Sequence, residues 1–311
     1  MFKNLPQLTV TAPAKVNLHL EVKNKRPDGF HNLESIFLAL DFGDILHFEL
    51  TSETKAIEIT MEKQFFSKTE PNRGTKPCFI PLQSNIIYKT LSLFREKTGF
   101  EQGLRIKVDK HIPIGGGLGG GSSDAAAALL ALNKLADSPL NRDTLLDMAA
   151  SLGSDVPFFI HETSAAFITG RGERIKPLEA PSLFFVLVNP GFPSDTAAAF
   201  KLLDEFRGPE IKNKKLDIKN DKFDISNFLF HNSDFLFFND FLPVFYEREK
   251  SVYNKIISQL LELKADFASL SGAGSTCFGV FKDRETAEKA AEALQERRQF
   301  VRCCGIRNAK A

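Results

Sequence analysis

The sequence predicts an α+β protein of two domains. Three observations lead there. Leu8 to Val22 alternates apolar and polar residues, and Leu104 to Val108 does so again, as half-buried strands do. A glycine-rich segment after the second of these runs straight into an alanine-rich helix, and because the strand before it alternates polar and apolar residues it is not the fully buried strand of a parallel βαβ unit. The C-terminal half reads strand–helix–helix–strand–strand–helix–strand, an α+β sandwich of ferredoxin type with an inserted helical segment. A length of 311 residues suits two domains. The boundary is expected after a hairpin that leaves the first domain, giving residues 1–175 and 176–311.

Composition narrows the function classes. With 43% hydrophobic and 25% charged residues, the chain is expected to be folded and soluble. A net charge of +1 offers no strong field for nucleic acid or a membrane surface. No apolar run is long enough to span a bilayer, and Met1 to Pro6 does not read as a signal peptide. Cys78, Cys277, Cys303 and Cys304 show no metal or redox spacing. They read as thiols in a reducing, cytoplasmic setting.

Along the chain, Val16, Leu18, Leu20 and Val22 share one strand face; Lys15, Asn17, His19 and Glu21 share the other. That pattern by itself is a solvated strand face, and His19 has no assigned role. Arg26-Pro27-Asp28-Gly29-Phe30-His31 is a turn that presents an aromatic ring and an imidazole just after a reversal. Leu33 to Leu50 is further strand. It contains Asp41-Phe42-Gly43, a protein-kinase triplet, but no His-Arg-Asp loop accompanies it. Residues 51–81 form a polar excursion with room for one strand. Ser84 or Asn85 caps a helix to about Thr98. After the glycine segment a helix runs to about Ala136, and another starts at Asn141 and stops at Leu152-Gly153. Asp155 then lies in a tight turn before Pro157, where helix capping is the ordinary role for an Asp. A buried strand at Leu183 to Val188 leads to a helix near Asp195-Thr196, with Phe200 one turn inside. Loops and short helices are expected over Arg207 to Asn239, and an amphipathic helix over Glu249 to Lys264. Strands at Phe267–Leu270 and Cys277–Phe281 flank the small-residue loop Ser271 to Thr276. A helix from Arg284 and a strand from Phe300 close the chain.

The chemistry centres on Pro113-Ile114-Gly115-Gly116-Gly117-Leu118-Gly119-Gly120-Gly121-Ser122-Ser123, with six glycines in seven positions. Backbone free of side chains lets amides turn inward together, and the following helix adds its positive end. Ser122 or Ser123 is expected to cap that helix. The segment therefore reads as a phosphate cradle. A Walker A loop needs Gly-Lys, which the chain lacks. A dinucleotide fingerprint at Gly115, Gly117 and Gly120 should follow a strand buried on both faces. A protein-kinase glycine loop joins two strands, whereas this one enters a helix.

The same stretch, continued by Asp124-Ala125-Ala126, resembles the phosphate loop of the GHMP small-molecule kinases. Ala12 to Leu18, Arg26 to His31, Leu152 to Pro157 and Ser271 to Thr276 resemble further motifs of that family, in the right order over nearly the whole chain. They are most similar to the branch acting on cytidine diphosphate-linked methylerythritol in isoprenoid biosynthesis. The resemblance implies a ribosomal protein S5 domain 2-like N-terminal, ATP-binding domain and a ferredoxin-like, substrate-binding C-terminal domain. It implies that Asp155 acts as general base on a substrate hydroxyl, with Lys15 as its electrostatic partner. It places Pro113 to Ser123 on the ATP phosphates and Asn85 and Lys110 at the nucleoside. Asn17 and His31 match substrate contacts, and Phe30 and Phe200 match two rings that sandwich the cytosine. Phe30 stands where the family usually has Tyr, so the ring face is kept and the hydroxyl lost. Mg²⁺ is expected with ATP, within reach of Ser123, and no protein ligand for it is named by the sequence. A monomer or weak homodimer is expected. Kinases of the superfamily with homoserine or mevalonate as substrate, a non-catalytic nucleotide sensor and a dinucleotide oxidoreductase are the rival readings.

Overall fold

A computed structural model describes residues 6–63, 76–207, 224–226, 229, 237–295 and 300–308. The chain forms two compact units interleaved in sequence. One holds Met1–Ala14, Gly43–Ile112 and Gly119–Glu162; the other holds Lys15–Phe42, Pro113–Leu118 and Thr163–Ala311. The interleaving follows from two long strands, β1 (Gln7–Lys25) and β2 (His31–Thr51), each of which serves both units.

In the first unit, β5 (Gly103–Lys110) pairs antiparallel with the end of β2, Leu46 opposite Val108, and parallel with β3 (Ile57–Lys63), Met61 opposite Val108. A two-residue strand, β4 (Lys76–Pro77), pairs with β3. The polar excursion thus contributes the strand that its composition left room for. Four helices follow: α1 (Ile86–Thr98), α2 (Gly120–Leu135), α3 (Arg142–Leu152) and the short α4 (Val156–Ile160). Helix α1 buries Ile87, Thr90, Leu91 and Phe94, a helical stripe, and Asn85 caps it by accepting from the Ile87 N–H at 2.9 Å. Helix α2 buries its alanines and leucines almost all round. It begins earlier than the hydroxyls suggest. Gly119 is its N-cap, with no side-chain cap, and Ser122 and Ser123 lie inside the first turn. Asp41-Phe42-Gly43 has a structural reason at its glycine: a Cβ on Gly43 would stand 2.2 Å from the Ala12 carbonyl oxygen.

In the second unit, the start of β2 pairs antiparallel with β6 (Ala165–Thr169), which pairs with β7 (Arg174–Leu178) in the expected hairpin. A separate antiparallel sheet has the order β11 (Phe300–Gly305), β8 (Phe184–Asn189), β10 (Cys277–Phe281), β9 (Phe267–Leu270). By its own strands that is 4-1-3-2, the ferredoxin-type order. Helices α5 (Thr196–Arg207), α6 (Glu247–Glu262) and α7 (Arg284–Gln295) complete it. Val186, Val188, Tyr253, Ile256, Phe281 and Leu294 are among the residues of its core. Most of the 207–239 stretch lies outside the described residues. Its end lies along β1, with the Leu20 N–H donating to the Phe238 carbonyl at 2.8 Å and the Asp240 N–H to the Leu20 carbonyl at 3.0 Å. No described helix is long and apolar enough to cross a membrane.

Candidate active site

The glycine segment is built by its carbonyls. Four successive oxygens accept bonds from three parts of the second unit. Gly115 accepts from the Ser194 N–H at 2.9 Å and Gly116 from the Thr276 N–H at 3.1 Å. Gly117 accepts from the Ser271 hydroxyl at 2.9 Å and Leu118 from the Lys15 N–H at 2.9 Å. Gly115, Gly117 and Gly119 have φ of 67°, 75° and 70°, while Gly116 and Leu118 between them are not at positive φ, an alternation of the kind that turns successive N–H groups into an anion-binding nest. The amides of Gly117, Leu118 and Gly119 meet no acceptor among the described residues. The next three, Gly120 to Ser122, are N–H groups of the first turn of α2 that likewise meet no acceptor among the described residues, and Ser123 is the first to donate within the helix, to the Gly119 carbonyl. The loop thus spends its acceptors inside the protein and keeps its donors for a ligand. Gly117 admits no side chain. A Cβ there would sit 2.1 Å from the Ser271 carbonyl oxygen and 2.7 Å from that of Gly274. Ser271 to Thr276 is therefore more than a tight hairpin, because it grips the glycine segment directly. Asn189 stiffens it by donating to the Ser275 and Thr276 hydroxyls at 3.1 and 3.0 Å.

Lys15 and Asn17 are side by side on β1, as the alternation predicts, but their face is not solvated. Lys15, Asn17, His19 and Glu21 are all buried. The Lys15 ammonium donates to Asn17 Oδ1 at 2.5 Å and lies 4.5 Å from the centre of the Phe37 ring. Asn17 in turn donates to the Ser35 hydroxyl at 3.0 Å, and Ser35 to the His19 carbonyl at 2.5 Å. Burial, helped by the Lys23 charge, pulls the His19 pKa down to about 4, so it is neutral.

The Arg26 to His31 turn is fixed by Arg26. Its guanidinium bonds both Asp28 oxygens, at 2.9–3.1 Å, and Asn32 at 3.2 Å. Phe30 is half exposed at 49%, with the Arg171 guanidinium 5.2 Å from its ring centre. His31 is buried and stacks on Phe200, with centroids 5.1 Å apart and planes at 17°. Phe200 meets Phe241 edge-on at 4.9 Å. His31 Nε2 lies 2.7 Å from Asp204 Oδ1, and Lys25 donates to Asp204 Oδ2 at 2.7 Å.

In the first unit, Asn85 is buried, with Oδ1 spent on the α1 cap and Nδ2 directed at Met61 Sδ, 3.3 Å away. Lys110 is buried between Asp44 and Asp124, 2.6 Å from the latter. Asp44 also accepts the His111 and Ile112 N–H groups at 2.6 and 2.8 Å. Burial works against the Lys110 charge; the two carboxylates outweigh it, and its pKa is raised. One cation cannot neutralise two anions. Asp44 has the backbone donors, so burial and the Asp44 charge push Asp124 up to about 7, against the pull of Lys110. Asp124 Oδ1 and the Ser123 hydroxyl are buried with no hydrogen-bond partner among the described residues. Asp155 opens α4 without giving it a side-chain cap, so the ordinary role for an Asp at that place does not apply.

Asp44 and Asp204 hold predicted site residues and went unnoticed in the sequence, whereas Ser271 lies in the small-residue loop that the sequence singled out. Asp204 had a signal: it falls one helical turn after Phe200. Asp44, a buried acid within a long strand, had none.

The GHMP kinases N terminal domain family matches residues 85–163, and the GHMP kinases C terminal family matches residues 221–298. A Burkholderia mallei protein named 4-diphosphocytidyl-2-C-methyl-D-erythritol kinase is 35% identical over 283 residues, 91% of this chain and 88% of that one. A Burkholderia thailandensis protein of the same name is 42% identical over 189 residues, 61% of this chain and 59% of its own length. A crystal structure of 4-(cytidine 5'-diphospho)-2C-methyl-D-erythritol kinase superposes with a TM-score of 0.74 at 30% identity, covering 96% of this chain and 99% of that one. Homoserine kinase from Cytophaga hutchinsonii, at 18% identity and a TM-score of 0.64, shares the fold. Identity of this depth over nine-tenths of the sequence goes beyond a shared fold, and the chain belongs to the GHMP kinases, in the 4-diphosphocytidyl-2-C-methyl-D-erythritol kinase branch of these small-molecule kinases.

Proposed function

We propose that this kinase moves the γ-phosphoryl group of ATP to the 2-hydroxyl of 4-diphosphocytidyl-2-C-methyl-D-erythritol, a step of the methylerythritol phosphate route to isoprenoids. The observation that carries the ATP half is the glycine segment with four pinned carbonyls and outward amides. Family membership carries the acceptor half. Residues 1–175 are read as the ATP-binding domain and 176–311 as the substrate-binding one.

Phosphoryl transfer needs position and charge neutralisation more than covalent help. In this mechanism the unspent amides of the Gly115 to Ser123 stretch, Gly117 to Ser122 among them, and the α2 dipole hold the β- and γ-phosphates. Asp155 takes the proton of the attacking hydroxyl, and Lys15 offsets charge on the transferring group. Asn17, which already orders the Lys15 ammonium, and His31 contact the substrate, while Phe30 and Phe200 give ring faces to the cytosine. Asn85 and Lys110 border the nucleoside of ATP. The Ser123 hydroxyl, buried with no hydrogen-bond partner among the described residues, would be the group to hold Mg²⁺ bound with ATP. The ion would supply charge neutralisation on the phosphate oxygens. Among the described residues no group of three or more His, Cys, Asp or Glu could hold a metal by itself.

The direct test is incubation with γ-labelled ATP and the cytidylyl alcohol, with homoserine and mevalonate as comparison acceptors. Label is expected on the cytidylyl alcohol; label on another acceptor alone would overturn the substrate assignment. Asp155→Asn should lower kcat by about a hundredfold to ten-thousandfold while ATP binding survives. Lys15→Ala should reduce kcat more than ATP affinity. Near wild-type turnover in Asp155→Asn would remove that residue from the chemistry.

A further inference from the structure

His31 is held on three sides. One ring face lies on Phe200, the residue is 91% buried, and Nε2 is bonded to Asp204. Asp204 is held in turn, because its second oxygen accepts from Lys25. Ion pairing with Lys25 and hydrogen bonding to His31 overcome partial burial and keep the Asp204 carboxyl below its ordinary pKa. A carboxylate can only accept, so the proton between Asp204 and His31 sits on Nε2. The other ring nitrogen is different. No described residue bonds Nδ1, and Nδ1 is not among the buried polar atoms left without a partner. It is the one polar atom this ring has to offer.

Which nitrogen of an imidazole carries the proton is set by the bond the other one makes. We propose that Asp204 is a specificity-determining positioning residue, which fixes His31 in the Nε2–H form so that Nδ1 presents a lone pair to the amino group of cytosine and repels the carbonyl that uracil has in its place. The proposal rests on the reading of His31 as a substrate contact and adds to it the chemistry of selection. Cytosine has a donor at its 4-position, whereas uracil has an acceptor. A site built to pair one polar group rejects an analogue that leaves the site unpaired far better than an apolar pocket does. Asp204 does not touch the base; it acts by denying His31 the tautomer that would bond uracil.

The experiment compares wild type, Asp204→Ala and Asp204→Asn. Each is assayed with the cytidylyl alcohol and with its uridylyl counterpart, and imidazole nitrogen shifts are recorded for His31 in the intact, unliganded protein. Wild type should show the Nε2–H form and a strong preference for cytidylyl. Asp204→Ala should mix the tautomers, cut the ratio of kcat/KM values at least tenfold and leave KM for ATP unchanged. Asp204→Asn, whose amide can accept or donate, should fall between them. A purely structural role would lower both substrates equally and leave the ratio fixed; that result, or an Nδ1–H form in wild type, overturns the proposal. Failure of wild type with both nucleotides overturns the substrate reading instead. The nitrogen spectra still report on Asp204 in that case, because they need no substrate.

Discussion

At the scale of single residues, the protein is decided by where one atom more would not fit and where one charge too many sits. Gly117 combines a left-handed backbone with a carbonyl 2.1 Å from where a Cβ would lie. Gly117→Ala must either move the Ser271 loop or lose the turn, at a cost of roughly 1–3 kcal/mol in backbone strain alone. ATP affinity, measured by calorimetry, should fall at least tenfold while circular dichroism stays that of a folded protein. Asp124 gives a pH-dependent prediction. Its carboxyl titrates near 7 when folded and near its ordinary value of 3.8 when unfolded, so the folded state holds the proton more tightly. The stability that goes with the protonated form is complete below about pH 4 and is lost as pH rises to about 7. Asn cannot ionise. Asp124→Asn should therefore gain on wild type as pH rises from 5 to 7.5 in urea denaturation. A constant difference across that range would show that Asp124 does not titrate there.

At the scale of elements, the sequence was legible wherever a pattern is local. Periodicity located β1, β5 and α6, because side-chain direction repeats every two or 3.6 residues whatever lies nearby; a capping residue located α1, and short apolar runs the strands of the C-terminal sheet. Of Ser84 and Asn85, the two residues read as the cap of α1, Asn85 is the one that caps it. Asn85→Ala removes that cap and should cost about 1 kcal/mol, a fall of roughly 2–4 °C in Tm by calorimetry. Two local readings failed for reasons outside the local pattern. The hydroxyls of Ser122 and Ser123 do not cap α2, because Gly119 takes a left-handed turn and starts the helix before them. The polar face of β1 is buried because Ser35, Phe37 and residues 237–240 of the second unit cover it. Alternation tells which residues share a face and is silent on what packs against it.

At the scale of the whole molecule, the chain is two interleaved units, each with its own part of the proposed chemistry. The first carries Asn85, Lys110, Asp155 and the start of α2; the second carries Lys15, the pinned carbonyls and the Phe30–His31 turn. A nucleotide that binds only the folded state raises its stability. ATP at a hundred times its Kd should add about 2.7 kcal/mol, a rise of a few degrees in Tm. Asp155→Asn should keep that rise even as turnover collapses, since the phosphate-holding amides are untouched. Loss of both together would make Asp155 a binding residue.

The sequence by itself determined the order of the elements, the glycine segment and the family motifs, for these are written in consecutive residues and follow from backbone conformation and period. Tertiary structure alone decided that four carbonyls of the segment turn inward, that Asp44 and Asp124 share one lysine, and that Asp204 holds His31. Those bonds join residues up to 173 positions apart, as His31 and Asp204 are. Their partners are chosen by which strands and loops the fold sets side by side, and no run of neighbouring residues encodes that choice.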